Sequence, residues 1–184
     1  MSTTWSIDIL QQLWQLATEL HQDQTYGGAQ KGQRWAYISH IGSVTFEVLN
    51  ALQQDPDLDA HLCISCAILH DTIEDTSFEY RDVADRFGVA VAKGVDALSK
   101  NPAIKDRSAQ MQDSLRRIQA QPREIGIVKL ADRISNLKKP PYYWNLTKKQ
   151  FYRDEAIVIL ETLGSCSAYM RDRLAAKIKR YEKN

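Results

Sequence analysis

The segment His70-Asp71-Thr72-Ile73-Glu74-Asp75-Thr76 sets one imidazole and three carboxylates directly behind the apolar run Cys63 to Leu69. Burying such a group is costly unless a cation, a proton or a tight hydrogen-bond network compensates it. On a helix turning about 100° per residue, His70, Asp71, Glu74 and Asp75 fall within roughly 140° of arc. One helix face then offers two kinds of metal ligand, with two further carboxylates one turn away. That layout suits a metal-dependent hydrolase, so an enzyme is the leading expectation.

Two distant segments carry matching chemistry. His40 stands in Tyr37-Ile38-Ser39-His40, just after a polar stretch, and Asp132 in Lys129-Leu130-Ala131-Asp132-Arg133, within an otherwise apolar helix. Two imidazoles and two carboxylates make a mixed nitrogen and oxygen set that suits Mn²⁺, Fe²⁺ or Zn²⁺ better than Ca²⁺. Spacing alone does not bring His40 and Asp132 to His70 and Asp71. A single histidine at a helix start is more commonly a hydrogen-bonded surface or core residue. Cys63 and Cys66 form a C-x-x-C, but on an apolar helix without a second cysteine pair they read as small core residues.

The elements that must position these residues read almost entirely as helix. Ile9, Leu13, Leu16 and Leu20 recur at spacings of four, three and four, an amphipathic helix over 7–20. A polar, glycine-containing loop is expected over 22–33, then a helix over 37–52 closed by Asp55-Pro56. Asp57 is placed to cap a helix over 58–69 that carries the acidic cluster near its end. Thr76 to Glu79 has capping-box spacing, and Gly88 stops the short helix that follows. Further helices are expected over 89–98, 111–118 and 123–139, the last opened by Pro122 and terminated by Pro140-Pro141. Thr147 to Gln150 begins another through Leu163, and a final one runs from about Cys166 to Tyr181. No strand alternation competes, so the expectation is one all-α domain over 1–184.

Composition narrows the partners. The 184 residues are 43% hydrophobic and 26% charged, with 24 basic against 23 acidic residues and a net charge of +1. That balance gives no general pull towards nucleic acid or an anionic membrane, so any anionic ligand needs a local basic patch. Met1 to Trp5 lacks the basic start of a secretory signal, and no apolar run approaches the roughly 18 residues of a membrane span. A cytoplasmic protein is expected, and a homodimer is open.

Three segments together are specific: Tyr37-Ile38-Ser39-His40, Ala67-Ile68-Leu69-His70-Asp71-Thr72-Ile73-Glu74-Asp75-Thr76 and Val128-Lys129-Leu130-Ala131-Asp132-Arg133-Ile134-Ser135-Asn136-Leu137. In order and spacing the chain, from about residue 10 to 160, resembles the HD superfamily of phosphohydrolases. Within it, the resemblance is to the hydrolase domain of RelA/SpoT-type enzymes and the single-domain small alarmone hydrolases. It implies an HD-type helical bundle with His40, His70, Asp71 and Asp132 holding one Mn²⁺ per chain. It further implies that Glu74 and Asp75 orient and deprotonate the attacking water, and that pyrophosphate leaves the 3′ position of a guanosine bis(diphosphate)-type nucleotide. Asn136 matches a position facing the nucleoside, and Lys105, Lys148 and Tyr152 match positions that hold phosphates or the nucleotide. With the chain ending at Asn184, no alarmone synthesis is expected.

One departure bears on the base. The family carries Arg-Lys, a glycine and Pro-Tyr before its first metal-binding histidine, whereas this chain has Lys31-Gly32-Gln33-Arg34-Trp35-Ala36-Tyr37. Only Lys31 or Arg34 can supply the cation that stacks on the base, and arginine stacks far better than lysine. An adenosine alarmone, NADPH or another nucleotide therefore stays open as substrate, as does a domain that senses a nucleotide without cleaving it. Lys129 is read either as a support of the site or as structural.

Overall fold

The computed structural model describes residues 6–181; the reading of Met1 to Trp5 lies outside them. Helix α1 (Ile7–Leu20) opens at Ser6, whose hydroxyl accepts the Ile9 N–H at 3.3 Å, and it buries Leu13 and Ala17. Helices α2 (Ile38–Gln54), α3 (Ala60–Leu69) and α8 (Arg123–Asn136) pack on one another as the inner layer. Their sequences show why. Every residue from Leu62 to Leu69 is buried, and so is nearly all of α8 from Glu124 to Ser135. Helix α3, apolar almost all round, has no solvent face to offer and must be enclosed, whereas α8 also buries charged side chains that partner one another or the site.

The rest wrap this layer. Between α3 and α8 come the single turn α4 (Thr72–Asp75), then α5 (Tyr80–Phe87), α6 (Val89–Leu98) and α7 (Arg107–Gln119); α9 (Leu146–Leu163) and α10 (Ala168–Tyr181) close the bundle. Gly88, at φ +92°, is the single residue between α5 and α6 and lets the chain turn from one helix straight into the next. The buried apolar side chains form one core that draws on helices from α1 to α10. The all-α expectation holds.

Several expectations move. Residues expected as loop contain a small antiparallel hairpin, β1 (Thr25–Gly27) with β2 (Arg34–Ala36), in register Thr25 to Ala36, Tyr26 to Trp35 and Gly27 to Arg34. Three-residue strands are too short to display alternation in sequence. Asp59 rather than Asp57 caps α3, accepting the Leu62 N–H at 3.0 Å. The capping box falls one turn later than expected, between Glu79 and Asp82 of α5. Asn145 caps α9. Helix α8 ends at Asn136 rather than Lys139, because Lys139 precedes a proline and the residue before proline is pushed out of helical conformation.

Cys63, Cys66 and Cys166 are free thiols, and burial pushes those of Cys63 and Cys66 well above their ordinary range. That is the core role read from sequence. Among the described residues no helix is long and apolar enough to cross a membrane.

Leu130 is fully buried at the centre of α8, whereas Leu146 is 69% exposed. Leu130→Ala is expected to cost about 2–5 kcal/mol through lost burial and a residual cavity. Leu146→Ala should change stability by less than about 0.5 kcal/mol. Urea denaturation of both variants compares the two sites.

Candidate active site

The acidic segment does not continue as one helix. Helix α3 stops at Leu69, Asp71 takes φ −101° and ψ 0°, and the chain re-enters helix at Thr72. The Thr72 hydroxyl donates to the Leu69 carbonyl at the end of α3, and Asp71 O accepts the Asp75 N–H at 2.9 Å as the first bond of α4. His70 and Asp71 thus sit at a kink, where both side chains turn inward.

The first turn of α2 brings His40 to them, and the middle of α8 brings Asp132. His40 Nε2 and His70 Nε2 lie 3.3 Å apart. Asp71 Oδ2 is 2.9 Å from His70 Nε2 and 3.7 Å from His40 Nε2, and Asp132 Oδ1 is 3.5 Å from His40 Nε2. The ligand atoms of His40, His70 and Asp132 all fall within 4.8 Å of one another. His70 Nδ1 is 2.9 Å from Ala67 O, so this nitrogen carries the hydrogen and Nε2 faces the cluster. Two imidazole nitrogens this close need a proton or a cation between them. The donor set fits a divalent metal.

Charges around the cluster are ordered by its burial. Burial pulls the His70 imidazole down, but the Asp71 carboxylate and their mutual bond outweigh it and push His70 up to about 9. Burial alone would raise both aspartates; the charge of His70 holds Asp71 low, and Lys129 with the bond to His40 holds Asp132 low.

An outer ring fixes these side chains. Tyr37 donates its hydroxyl to Asp71 Oδ2 at 2.6 Å, and burial together with the Asp71 charge keeps that phenol protonated. Lys129 Nζ donates to Asp132 Oδ2 at 3.2 Å and Asn136 Nδ2 to Asp132 Oδ1 at 2.5 Å. Helix α8 therefore supports its own aspartate from one turn on either side, and Lys129 is a support of the site. His21, stacked on Tyr37 at 5.2 Å, bonds Gln24, whose amide donates to Asp75 O at 2.8 Å. The sequence reading missed Tyr37, His21 and Gln24 as supports. Tyr37 had a visible sign, its place three residues before His40.

Glu74 and Asp75 lie on α4 beside the cluster. Glu74 Oε2 accepts the Lys100 N–H at 2.9 Å, and Glu74 Oε1 pairs with Lys100 Nζ. Burial, then the charges of Asp71 and Glu74, raise the Asp75 carboxyl above its usual range.

A cavity of about 570 Å³ opens from His40 and Tyr37 to the surface. Arg34, Asn136 and Tyr152, all singled out from sequence, line it. Arg34 Nε is braced by Thr25 Oγ1 at 3.0 Å. Lys148 is outside the lining, with Nζ 4.6 Å from the centre of the Trp144 ring, which belongs to the wall. Lys31 belongs to the hairpin turn, outside the lining, and Lys105, also outside it, reaches back to Pro102 O at 3.4 Å. Walls that sequence reasoning did not single out are Tyr26, Lys138 and the aromatic run Tyr142-Tyr143-Trp144. Lys138 Nζ donates to Tyr26 Oη at 3.0 Å. The Tyr143 ring lies so close to Gly27 that an added Cβ would meet it at 2.9 Å. Three adjacent aromatics after Pro140-Pro141 were the sequence sign of a binding wall.

The HD domain family profile matches residues 14–152. Guanosine-3′,5′-bis(diphosphate) 3′-pyrophosphohydrolase of Aquifex aeolicus is 35% identical over 132 residues, 70% of this chain but 17% of that protein. The bifunctional (p)ppGpp synthase/hydrolase SpoT of Escherichia coli K12 is 31% identical over 134 residues, 70% of this chain and 18% of its own length. The chain thus spans less than a fifth of these two relatives. The pyrophosphohydrolase MESH1 of Danio rerio is 26% identical over 177 residues, 92% of each chain. A solved structure described as a metazoan ortholog of SpoT that hydrolyzes ppGpp superposes with a TM-score of 0.79 at 20% identity, over 97% of this chain and 98% of that one, so the fold is shared.

Metal uptake should be linked to protons. In the metal-free protein His70 stays protonated below about 9, and a metal can use Nε2 only after that proton leaves. Binding of a divalent ion at pH 7 is expected to release about one proton, and affinity should rise about tenfold per pH unit from 7 towards 9. Calorimetry in two buffers of different ionisation enthalpy counts the proton; no release would mean that the ion binds elsewhere.

Proposed function

The chain belongs to the HD domain family, and from that premise we propose that it is a Mn²⁺-dependent hydrolase that releases pyrophosphate from the 3′ position of a guanosine bis(diphosphate)-type nucleotide. The observation that carries this reading is the convergence of two imidazoles and two carboxylates beside a cavity walled by Arg34, Lys138 and Lys139 together with aromatic rings. Cations suit phosphates and exposed aromatic faces suit a nucleobase. The names carried by the Aquifex, Escherichia and Danio relatives support the same substrate class.

In this reading His40, His70, Asp71 and Asp132 hold the ion, which when bound would polarise a phosphoryl oxygen and acidify water. Tyr37, Lys129 and Asn136 keep the two aspartates oriented. Asn136 also faces the nucleoside, Tyr152 and Lys148 border it, and Arg34 and Lys138 neutralise its phosphates. Lys31 and Lys105 act from outside the cavity walls, on the outer phosphates. Glu74 and Asp75 orient a water and take its proton as the new oxygen–phosphorus bond forms and the bond to the 3′ oxygen breaks. Burial, first, and the neighbouring carboxylates raise the Asp75 carboxyl above its ordinary range, which makes it the more basic for taking up a proton. Residues 1–184 work as one hydrolase domain in the cytoplasm, on a free nucleotide.

A second reading has a specific observation behind it. Tyr142, Tyr143 and Trp144 stack on any base, and Ala36 replaces the family's proline, so adenosine alarmones are accepted as well. A pure nucleotide sensor is disfavoured, because it has no need of Glu74 and Asp75.

A turnover screen with Mn²⁺ tests both readings, using guanosine and adenosine tetra- and pentaphosphates, NADPH and ordinary nucleoside phosphates. Release of pyrophosphate from the guanosine alarmones is the expected result. Turnover of ordinary nucleotides alone, or of none, contradicts the proposal. Within it, Asp71→Ala should lose most of the metal. Glu74→Gln and Asp75→Asn should keep the metal and lose about 10²-fold or more in kcat. Unchanged kcat in both, with metal saturating, would move water activation to other residues.

A further inference from the structure

Lys100 makes an unusual double contact. Its main-chain N–H reaches Glu74 Oε2 at 2.9 Å, and its ammonium group meets Glu74 Oε1. Both oxygens of one carboxylate of the proposed water-activating pair are thus held by a single residue. The main chain that presents this N–H is itself fixed. Arg117 of α7 donates Nη2 to Ser99 O at 2.5 Å and Nη1 to Asp96 O, and the Ser99 hydroxyl caps Val95 O at 2.9 Å. Lys100 therefore stands at the end of a braced connector, not on a free loop.

Folding does not explain the contact. The Lys100 side chain is 50% exposed, and an ion pair that open contributes little to stability. What the contact does fix is the position of a carboxylate on the short helix α4. A single helical turn has few internal bonds to hold it. Glu74 and Asp75 also form one wall of a second cavity, about 560 Å³, whose other wall carries Lys100, Asn101 and Pro102. This cavity and the one lined by His40 share no lining residue.

We infer that Lys100 is a positioning residue for hydrolysis: it clamps Glu74 in the orientation from which that carboxylate meets the attacking water. This rests on the hydrolase reading above. With one contact on each oxygen, the Glu74 carboxylate is fixed in orientation and keeps a lone pair on each oxygen for a water. Lys100 touches neither the ligand cluster nor the wall of the first cavity, so its loss should spare metal and substrate binding.

The test compares wild type, Lys100→Met, Lys100→Gln and Lys100→Arg, each loaded with Mn²⁺, for metal content, thermal melting, and kcat and KM on guanosine tetraphosphate. Lys100→Met and Lys100→Gln should lose about 10- to 100-fold in kcat, as expected when a reacting group drifts by a fraction of an ångström. KM and metal content should stay within about threefold, and Lys100→Arg should recover much of the loss by restoring the ion pair. Wild-type kcat in both neutral variants overturns the inference while leaving the hydrolase reading intact. So does a change confined to KM, to metal content or to melting temperature, since it would make Lys100 a substrate or structural residue. An inactive wild type overturns both.

Discussion

The structure depends on holding His40, His70 and Asp132 within 4.8 Å of one another, with Asp71 against His70, largely out of water. Uncompensated, that arrangement is expensive, since each charge loses hydration on burial. It is arranged so that opposite charges meet: Asp71 against His70, Asp132 against Lys129 and His40. The apolar side chains of α2, α3 and α8 supply the driving force that brings the three segments together. The break after Leu69 lets two consecutive residues turn the same way into the centre.

Helix α8 shows how one element serves several tasks. Lys129, Asp132 and Asn136 follow one another at spacings of three and four and so share a face. The central residue reaches the cluster and the flanking two donate to its oxygens. On α2, Tyr37 repeats this logic from the preceding turn, bonding Asp71 while His40 enters the cluster. Around this centre the surface divides. On one side, lysines and aromatics make a cavity suited to a nucleotide; on another, Lys100 fastens α4 to the connector after α6.

What could be read in advance followed from rarity. Histidine next to aspartate behind an apolar run has few structural uses, so His70, Asp71, Glu74 and Asp75 stood out at once. His40 and Asp132 needed the resemblance, because nothing in spacing says that segments so far apart converge. The helices were legible through apolar periodicity, with ends displaced where capping chemistry competes, as between Asp57 and Asp59. The hairpin was not legible, since each strand has three residues. The Tyr142 to Trp144 run was visible as adjacent aromatics, but its place in the cavity was not, because the wall exists only when Tyr143 folds back over Gly27. Lys100 was invisible for the same reason: its partner lies 26 residues earlier in the chain.

The central claim is that this cluster is a metal centre. Anomalous diffraction at the manganese edge, from crystals grown with Mn²⁺, tests it most directly. The account predicts one peak per chain, about 2.0–2.3 Å from donor atoms of His40, His70, Asp71 and Asp132. A bare cluster in such crystals, or manganese bound only at other residues, would contradict it.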